Sequence, residues 1–404
     1  MKGYYIHKEP VLDRKRALFG NDLFFRKAPS PQGGPKGPAL SVDEGVVGAV
    51  SSGGGFERLT GNKRVFLDFS ADLMQADTLA LLPRNSIFRV AERDARDKEV
   101  LLKAAMLKKQ GYQVAIDYTG AGCGLLPLHR DADFVRLDPS AFPEDKVAPT
   151  VALFRKFPLK LIAGNVENGQ DFVHCCDLGF DLFQGPFFMT PPAEGAPSIS
   201  ASQAVLVQLF NDIRANKEVG VIEAPFKDNP KLAYGLLQLM NSAFFRVGRK
   251  VASLQQAITL LGYENLQKWV ILLLFTVDRP GAQSHPLIEK ALVRSKLMES
   301  LAKKTGDSAL ADSAFITGML SFMHVLFNLR PDEVTQKLNL IQEIEDALVN
   351  KAGSLGALLR VAERTDRQAY DRMDEDLTSL RLSADDVLWA ETDAIMDSQS
   401  ALGN

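Results

Sequence analysis

Cysteine is scarce, an excess of charge of either sign is missing, and no apolar run is long. The three cysteines are Cys123, Cys175 and Cys176. Adjacent Cys175 and Cys176 have no zinc-type spacing, and an odd count suits a reducing compartment, so all three read as buried free thiols. The chain carries 47 Lys and Arg against 50 Asp and Glu, a net charge of −3. That balance gives no electrostatic case for nucleic-acid binding. The longest apolar run, Val270 to Val277, falls far short of the roughly 20 residues that span a bilayer. The opening MKGYYIHKEP has no apolar core of a signal peptide. These absences point to a soluble cytoplasmic chain with no membrane partner. What is present is length for two or three domains, 404 residues, and an apolar share of 46% that excludes wholesale disorder.

The stretch from Pro225 to Phe275 reads as three helices in close succession, a compact bundle. Asn229 can cap the first, with Pro230 at its first helical position and Leu232, Leu236, Leu237, Leu239 and Met240 at helical spacing. Ser253 can cap the second, and Gly262 sits where a left-handed C-cap belongs. Asn265 can open the third. Upstream, an amphipathic helix is expected over Ser198 to Val219, with Val205, Leu206, Leu209, Phe210 and Ile213 on one side. Downstream, helices are expected over His285 to Lys304 and Asp307 to Asn328. One helix is expected through Leu338, Leu340, Ile341, Ile344 and Leu348, and two more over Ala357 to Glu363 and Ser383 to Met396. The charged run from Thr365 to Glu375 reads as solvated surface.

The first half alternates differently. Short β-rich runs (Val65–Phe69, Ile87–Val90, Val114–Asp117, Phe134–Leu137 and Leu159–Ala163) are separated by helical ones, such as Asp97 to Gln110. This is the pattern of a parallel α/β fold, which places functional groups at strand C-termini. Residues 28–38 and 51–55, rich in Pro, Gly and Ser, read as surface loops. The Pro-rich turn from Pro191 to Pro197 marks a boundary. The expected domains are therefore 1–194, α/β, and 198–404, all-helical.

Two resemblances add to this. The run NPKLAYGLLQLMNSAFF followed by SLQQAITLLG, continuing through Ala314 to Leu320, is similar to the HDOD domain, a catalytically silent relative of the HD phosphohydrolases. VAIDYTGAGCGLLPLHRDADFVRLDPS and IAGNVENGQDFVHCCDLGFDLFQGPFF are similar to the EAL domain, a modified TIM-type (β/α)8 barrel with cyclic-di-GMP phosphodiesterase activity. The chain thus resembles a bacterial EAL–HDOD signalling protein.

The EAL resemblance implies a pocket. Active members hold divalent ions on carboxylates, which activate water and neutralise phosphate charge. Asp22 falls at the signature glutamate, Asp68 at an asparagine ligand and Arg89 at a glutamate ligand. Asp117 keeps the first of two paired aspartates, and Tyr118 replaces the second. Arg136 replaces the lysine, Gly164 replaces another glutamate, and Glu167 and Gln184 are retained. Arg26 follows the signature segment, as an arginine does in the family. Arginine coordinates no metal. Arg89 is therefore expected to occupy the metal's place and pair with Asp22, Asp68 or Asp117. In the second half, His285 and His324 are each followed by a residue other than Asp, so no His-Asp metal pair exists. The expectation is a protein that is not an enzyme, with no catalytic, metal or cofactor residues and no cofactor, acting as a protein-interaction scaffold in cyclic-di-GMP-linked regulation. A cyclic-di-GMP receptor is the alternative and a weak phosphodiesterase the third reading. The resemblance leaves open a homodimer, and names no protein partner.

Overall fold

The computed structural model describes residues 4–27, 59, 63–68, 79, 82–120, 127–192, 199–229, 232–234, 236, 253–278 and 285–402. The loops expected at 28–38 and 51–55, Cys123, Leu237, Leu239 and Met240 lie outside them. The chain divides into two compact units, Met1–Ala193 and Glu194–Asn404.

The first unit is a closed barrel of eight strands in sequence order. They are β1 (Tyr4–Asp13), β2 (Leu18–Lys27), β3 (Arg64–Asp68), β4 (Ser86–Ala91), β5 (Gln113–Tyr118), β6 (Phe134–Leu137), β7 (Lys160–Ala163) and β8 (Leu182–Gln184). Strands β2 to β8 run parallel, while β1 is antiparallel to both β2 and β8. The five strands expected from β-branched runs are present within a residue or so. The β1–β2 hairpin and β8 were not anticipated. Helices α1 (Lys98–Lys109), α2 (Glu144–Phe154) and α3 (Gly169–Leu178) belong to the same unit. Asp97 caps α1 by accepting from the Glu99 N–H, and Gly111 follows it at φ 90°.

Side chains alternate along each strand, so every second residue faces the interior. Val11, Phe66, Ile87, Ala115, Phe134, Ile162 and Leu182 form one apolar layer there. Phe66 and Phe134 meet edge to face at 5.7 Å, and Phe19 packs on both. Two residues further along the chain stand Asp68, Arg89, Asp117, Arg136, Gly164 (just past the end of β7) and Gln184. An oily plug thus forms the floor of a charged mouth at the strand C-termini.

The second unit is helical: α4 (Ala201–Arg214), α5 (Val219–Asp228), α6 (Leu254–Thr276), α7 (Pro286–Lys304), α8 (Ser308–Leu320), α9 (Met323–Phe327), α10 (Pro331–Lys337), α11 (Gln342–Asn350), α12 (Gly353–Asp366), α13 (Asp374–Leu380) and α14 (Ala384–Leu402). Ser253 caps α6, and Gly262 at φ 68° breaks it where the sequence places a C-cap. Asn265 corrects its expected role: its side-chain amide donates to the Leu261 carbonyl at 2.9 Å, closing the helix before it. Asn229 caps the helix at 232 as expected, its side chain accepting from the Leu232 N–H at 3.4 Å.

Four further expectations are corrected. The helix expected over Ser198 to Val219 spans only Ala201–Arg214, because Ser200 and Gln203 close a capping box that starts it late. Val205 lies on its exposed side, 39% accessible. The single helix through Leu338 to Leu348 is two, α10 and α11, separated by Asn339 at positive φ. The run from Thr365 to Glu375 is not wholly solvated, since Asp366 is buried against Arg294 and Lys290. The segment Ala309–Phe327 is apolar and long enough to cross a membrane, but 67% of that window is buried inside the unit and the segment breaks between α8 and α9. It is core.

Candidate functional site: a charged barrel mouth

Strand register sets the mouth. Asp68 on β3 lies directly opposite Arg89 on β4, and Asp117 on β5 directly opposite Arg136 on β6. Glu9 on β1 faces Asp22 on β2. Two cross-strand pairs of opposite charge are therefore built into the ladder.

Asp22 is the hub, with its side chain 1% accessible. Its Oδ2 accepts from Arg89 Nη1 at 2.5 Å, Arg136 Nη1 at 2.9 Å and Gln184 Nε2 at 3.0 Å. Arg89 uses its other terminal nitrogen on Asp68. Arg136 donates to Asp117 at 2.6 Å and to the Gln184 carbonyl oxygen at 3.0 Å. Gln184 also donates to Glu9 at 2.6 Å. The Arg89 guanidinium lies over the Phe24 ring, 4.9 Å from its centroid. The expected Arg89 pairing is thus present with Asp22 and Asp68. Asp117 bonds Arg136 instead.

Four acids face two guanidiniums, so the most buried acid holds a proton most readily. Burial raises the Asp22 pKa to about 6; Arg89 and Arg136 oppose the rise, while Glu9 and Asp68 add to it. Burial would lower the Arg89 pKa, but Asp22, Asp68 and Asp117 outweigh it and hold the guanidinium firmly charged.

Six of the ten expected residues therefore meet or border the mouth through described contacts: Asp22, Asp68, Arg89, Asp117, Arg136 and Gln184. Gly164 is adjacent, since a Cβ there would touch Arg136 Cγ at 3.7 Å. Tyr118 is not in the pocket. It follows Asp117 on the strand and so faces outward, where its ring packs on Phe154 at 4.9 Å and stacks on Phe142 at 6.0 Å. Glu167 is also outside it, exposed on the loop after β7. The Arg26 side chain lies outside the described residues. Glu92 is an outer residue as expected, accepting from the Thr119 N–H at 2.7 Å and hydroxyl at 2.6 Å. Glu9 was missed. Its alternation with Val11 in β1 was the available signal.

Among the described residues no three His, Cys, Asp or Glu side chains are grouped to hold a metal. The thiols fit their expected reading in part: Cys175 is buried, with burial pushing its pKa up to about 12, and Cys176 is half-buried.

A closed barrel with charged strand ends, followed by a helical unit, defines a two-domain architecture that family comparison resolves. Residues 65–191 match the EAL domain and residues 197–354 the HDOD domain. The chain is an EAL–HDOD protein. It is similar to the uncharacterized protein YuxH of Bacillus subtilis (strain 168), 25% identical with 92% of each chain covered. It is also similar to the cyclic di-GMP phosphodiesterase CdgJ of Vibrio cholerae serotype O1, 25% identical over 95% of this chain and 89% of that one. A standalone versatile EAL protein from Vibrio cholerae O395, solved with c-di-GMP bound, is 20% identical over 49% of this chain and 95% of that one, with a TM-score of 0.36. The barrel assignment rests on the closed strand order itself rather than on that likeness.

Proposed function

We propose that this chain is a catalytically inactive bacterial signal-transduction protein of the cytoplasm, whose EAL barrel and HDOD bundle act as a protein-interaction scaffold in cyclic-di-GMP-linked regulation. The observation that carries the reading is Arg89, buried in the mouth and bonded to Asp22 and Asp68. Asp22, Asp68 and Asp117 each give one oxygen to a guanidinium, so a divalent ion would have to share them with a fixed positive charge, and the residues as arranged do not fit one. A guanidinium about 4 Å from a dication would oppose it by roughly 8 kcal/mol at an effective dielectric near 20. Arg136, always protonated, cannot serve as a tunable acid or base. The terminal nitrogens of both arginines already bond acids of the mouth, so a nucleotide phosphate would have to compete with those carboxylates for them.

The likeness to a phosphodiesterase, CdgJ, favours a second reading, a weak hydrolase. Incubation of the full-length protein with cyclic-di-GMP and magnesium or manganese, followed by chromatography, separates the two. No turnover is expected. Metal-dependent turnover that Asp117→Asn abolishes would overturn the scaffold reading. Calorimetric titration with cyclic-di-GMP, with magnesium and again with chelator, is expected to show no heat; metal-independent heat would make the protein a receptor instead.

A further inference from the structure

The helical unit contains a cavity of about 240 Å³ that none of the barrel chemistry uses. The apolar part of its wall is Leu320, Pro331, Val334, Leu348 and Val349, drawn from the end of α8, from α10 and from α11. Its polar groups are Ser321, His324, Lys351 and Glu363. Each has a defined state. The Ser321 hydroxyl is used up, accepting from Arg294 at 2.7 Å and donating to the Gly318 carbonyl at 2.6 Å. Lys351 and Glu363 neutralise each other at 2.6 Å, and both are about one-third exposed at the opening. The His324 ring lines the cavity beside the Ser321 backbone. Burial holds its pKa below the ordinary histidine value, helped by the charges of Arg294 and Lys351 and opposed by the Ser321 backbone and Glu363, so the ring is mostly neutral at physiological pH.

The cavity therefore has walls more apolar than polar, no net charge, and one neutral ring among its lining groups. An engineered apolar cavity of about 150 Å³ takes benzene, so this one has room for about ten non-hydrogen atoms. We propose that it is a binding site for a small, neutral, mostly apolar molecule whose one hydroxyl or carbonyl hydrogen bonds to His324. The balanced lining selects against charged ligands. An anion would gain Lys351 only by competing with Glu363, and a cation would meet Lys351 at the opening. Such pockets, apolar with few convergent polar groups, are the usual form of small-molecule sites.

The test is a ligand-observed NMR titration of the full-length protein with p-cresol, toluene and benzoate. Saturable binding of p-cresol is expected at millimolar concentration or below. Toluene, lacking the hydroxyl, should bind about fivefold more weakly, the effect of one neutral hydrogen bond. Benzoate should be weaker than p-cresol by on the order of tenfold. Val349 lies on the rim, 38% exposed. Val349→Trp should weaken p-cresol by on the order of tenfold. The proposal is overturned by absent p-cresol binding, by unchanged affinity in Val349→Trp, or by benzoate binding as tightly as p-cresol. If circular dichroism shows Val349→Trp unfolded, His324→Leu decides: p-cresol and toluene should then bind alike, and a persisting difference would overturn the assignment.

Discussion

Replacing Arg89 with methionine should destabilise the barrel strongly at alkaline pH and weakly in mild acid. Arg89 and Asp22 form a buried pair, 2% and 1% accessible. Removing one partner of such a pair costs roughly 3–5 kcal/mol, chiefly because the other charge is left stranded. Asp22 keeps Arg136 and Gln184, which places the loss at the low end, about 3 kcal/mol. The Asp68 side chain is 55% exposed and can turn to water, adding at most about 1 kcal/mol. Protonation supplies an escape. The folded pKa of Asp22 is about 6, raised above its ordinary 3.8. The stability from the neutral acid is therefore fully present below about pH 4 and is lost as pH rises through about 6. Losing a cation raises the folded pKa further. Near pH 5 the acid is then neutral in both proteins, and the penalty should shrink to about 1 kcal/mol. The two tryptophans, Trp269 and Trp389, both belong to the helical unit, so their fluorescence does not watch the barrel. Hydrogen exchange of peptides spanning β3 to β6, corrected for intrinsic rates, does. A loss equal at both pH values, or under about 1 kcal/mol near pH 8, would refute the stranded-charge argument.

Other perturbations follow from the same physics. Asp366→Asn leaves Arg294 buried with no carboxylate, and should cost the helical unit about 3 kcal/mol by tryptophan-monitored urea unfolding. The Asp366 pKa is depressed: burial alone would raise it, but Arg294 and Lys290 prevail. Its contribution is present above the ordinary carboxylate pKa near 4 and lost as pH falls below it, so the variant should lose less stability on acidification than the parent does. Gly318→Ala would set a Cβ 2.6 Å from Ser295 Cα, forcing α7 and α8 apart. A loss of about 1–3 kcal/mol is expected, and an unchanged denaturation midpoint would show that the helices separate freely.

The legible strands were short runs of β-branched and aromatic residues with at most one charged residue each, such as Val114–Asp117 and Phe134–Leu137. The hairpin was hidden because its inward positions include Glu9 and Asp22, which break the apolar alternation while facing the interior. The mouth's composition came from resemblance, and its pairing of Arg89 with acids from charge alone. Tyr118 was misplaced because motif position was read without the alternation that turns it outward. Asp366 was taken for surface because a charged run gives no sign of a cation arriving from Arg294 and Lys290, more than 70 positions away. Gly262 and Ser253 were legible because caps are local.

The reversed first strand has a consequence for synthesis. Residues 11–13 of β1 find their second neighbour only in residues 182–184 of β8. A ribosome adding roughly 5–20 residues per second leaves the first hairpin waiting on the order of 10–30 seconds for that partner. Over that interval one edge of β1 stays open on the nascent chain. Glu9 and Asp22, both hydrated acids, keep the waiting hairpin solvated, and they give up that hydration only when Gln184 arrives to bridge them.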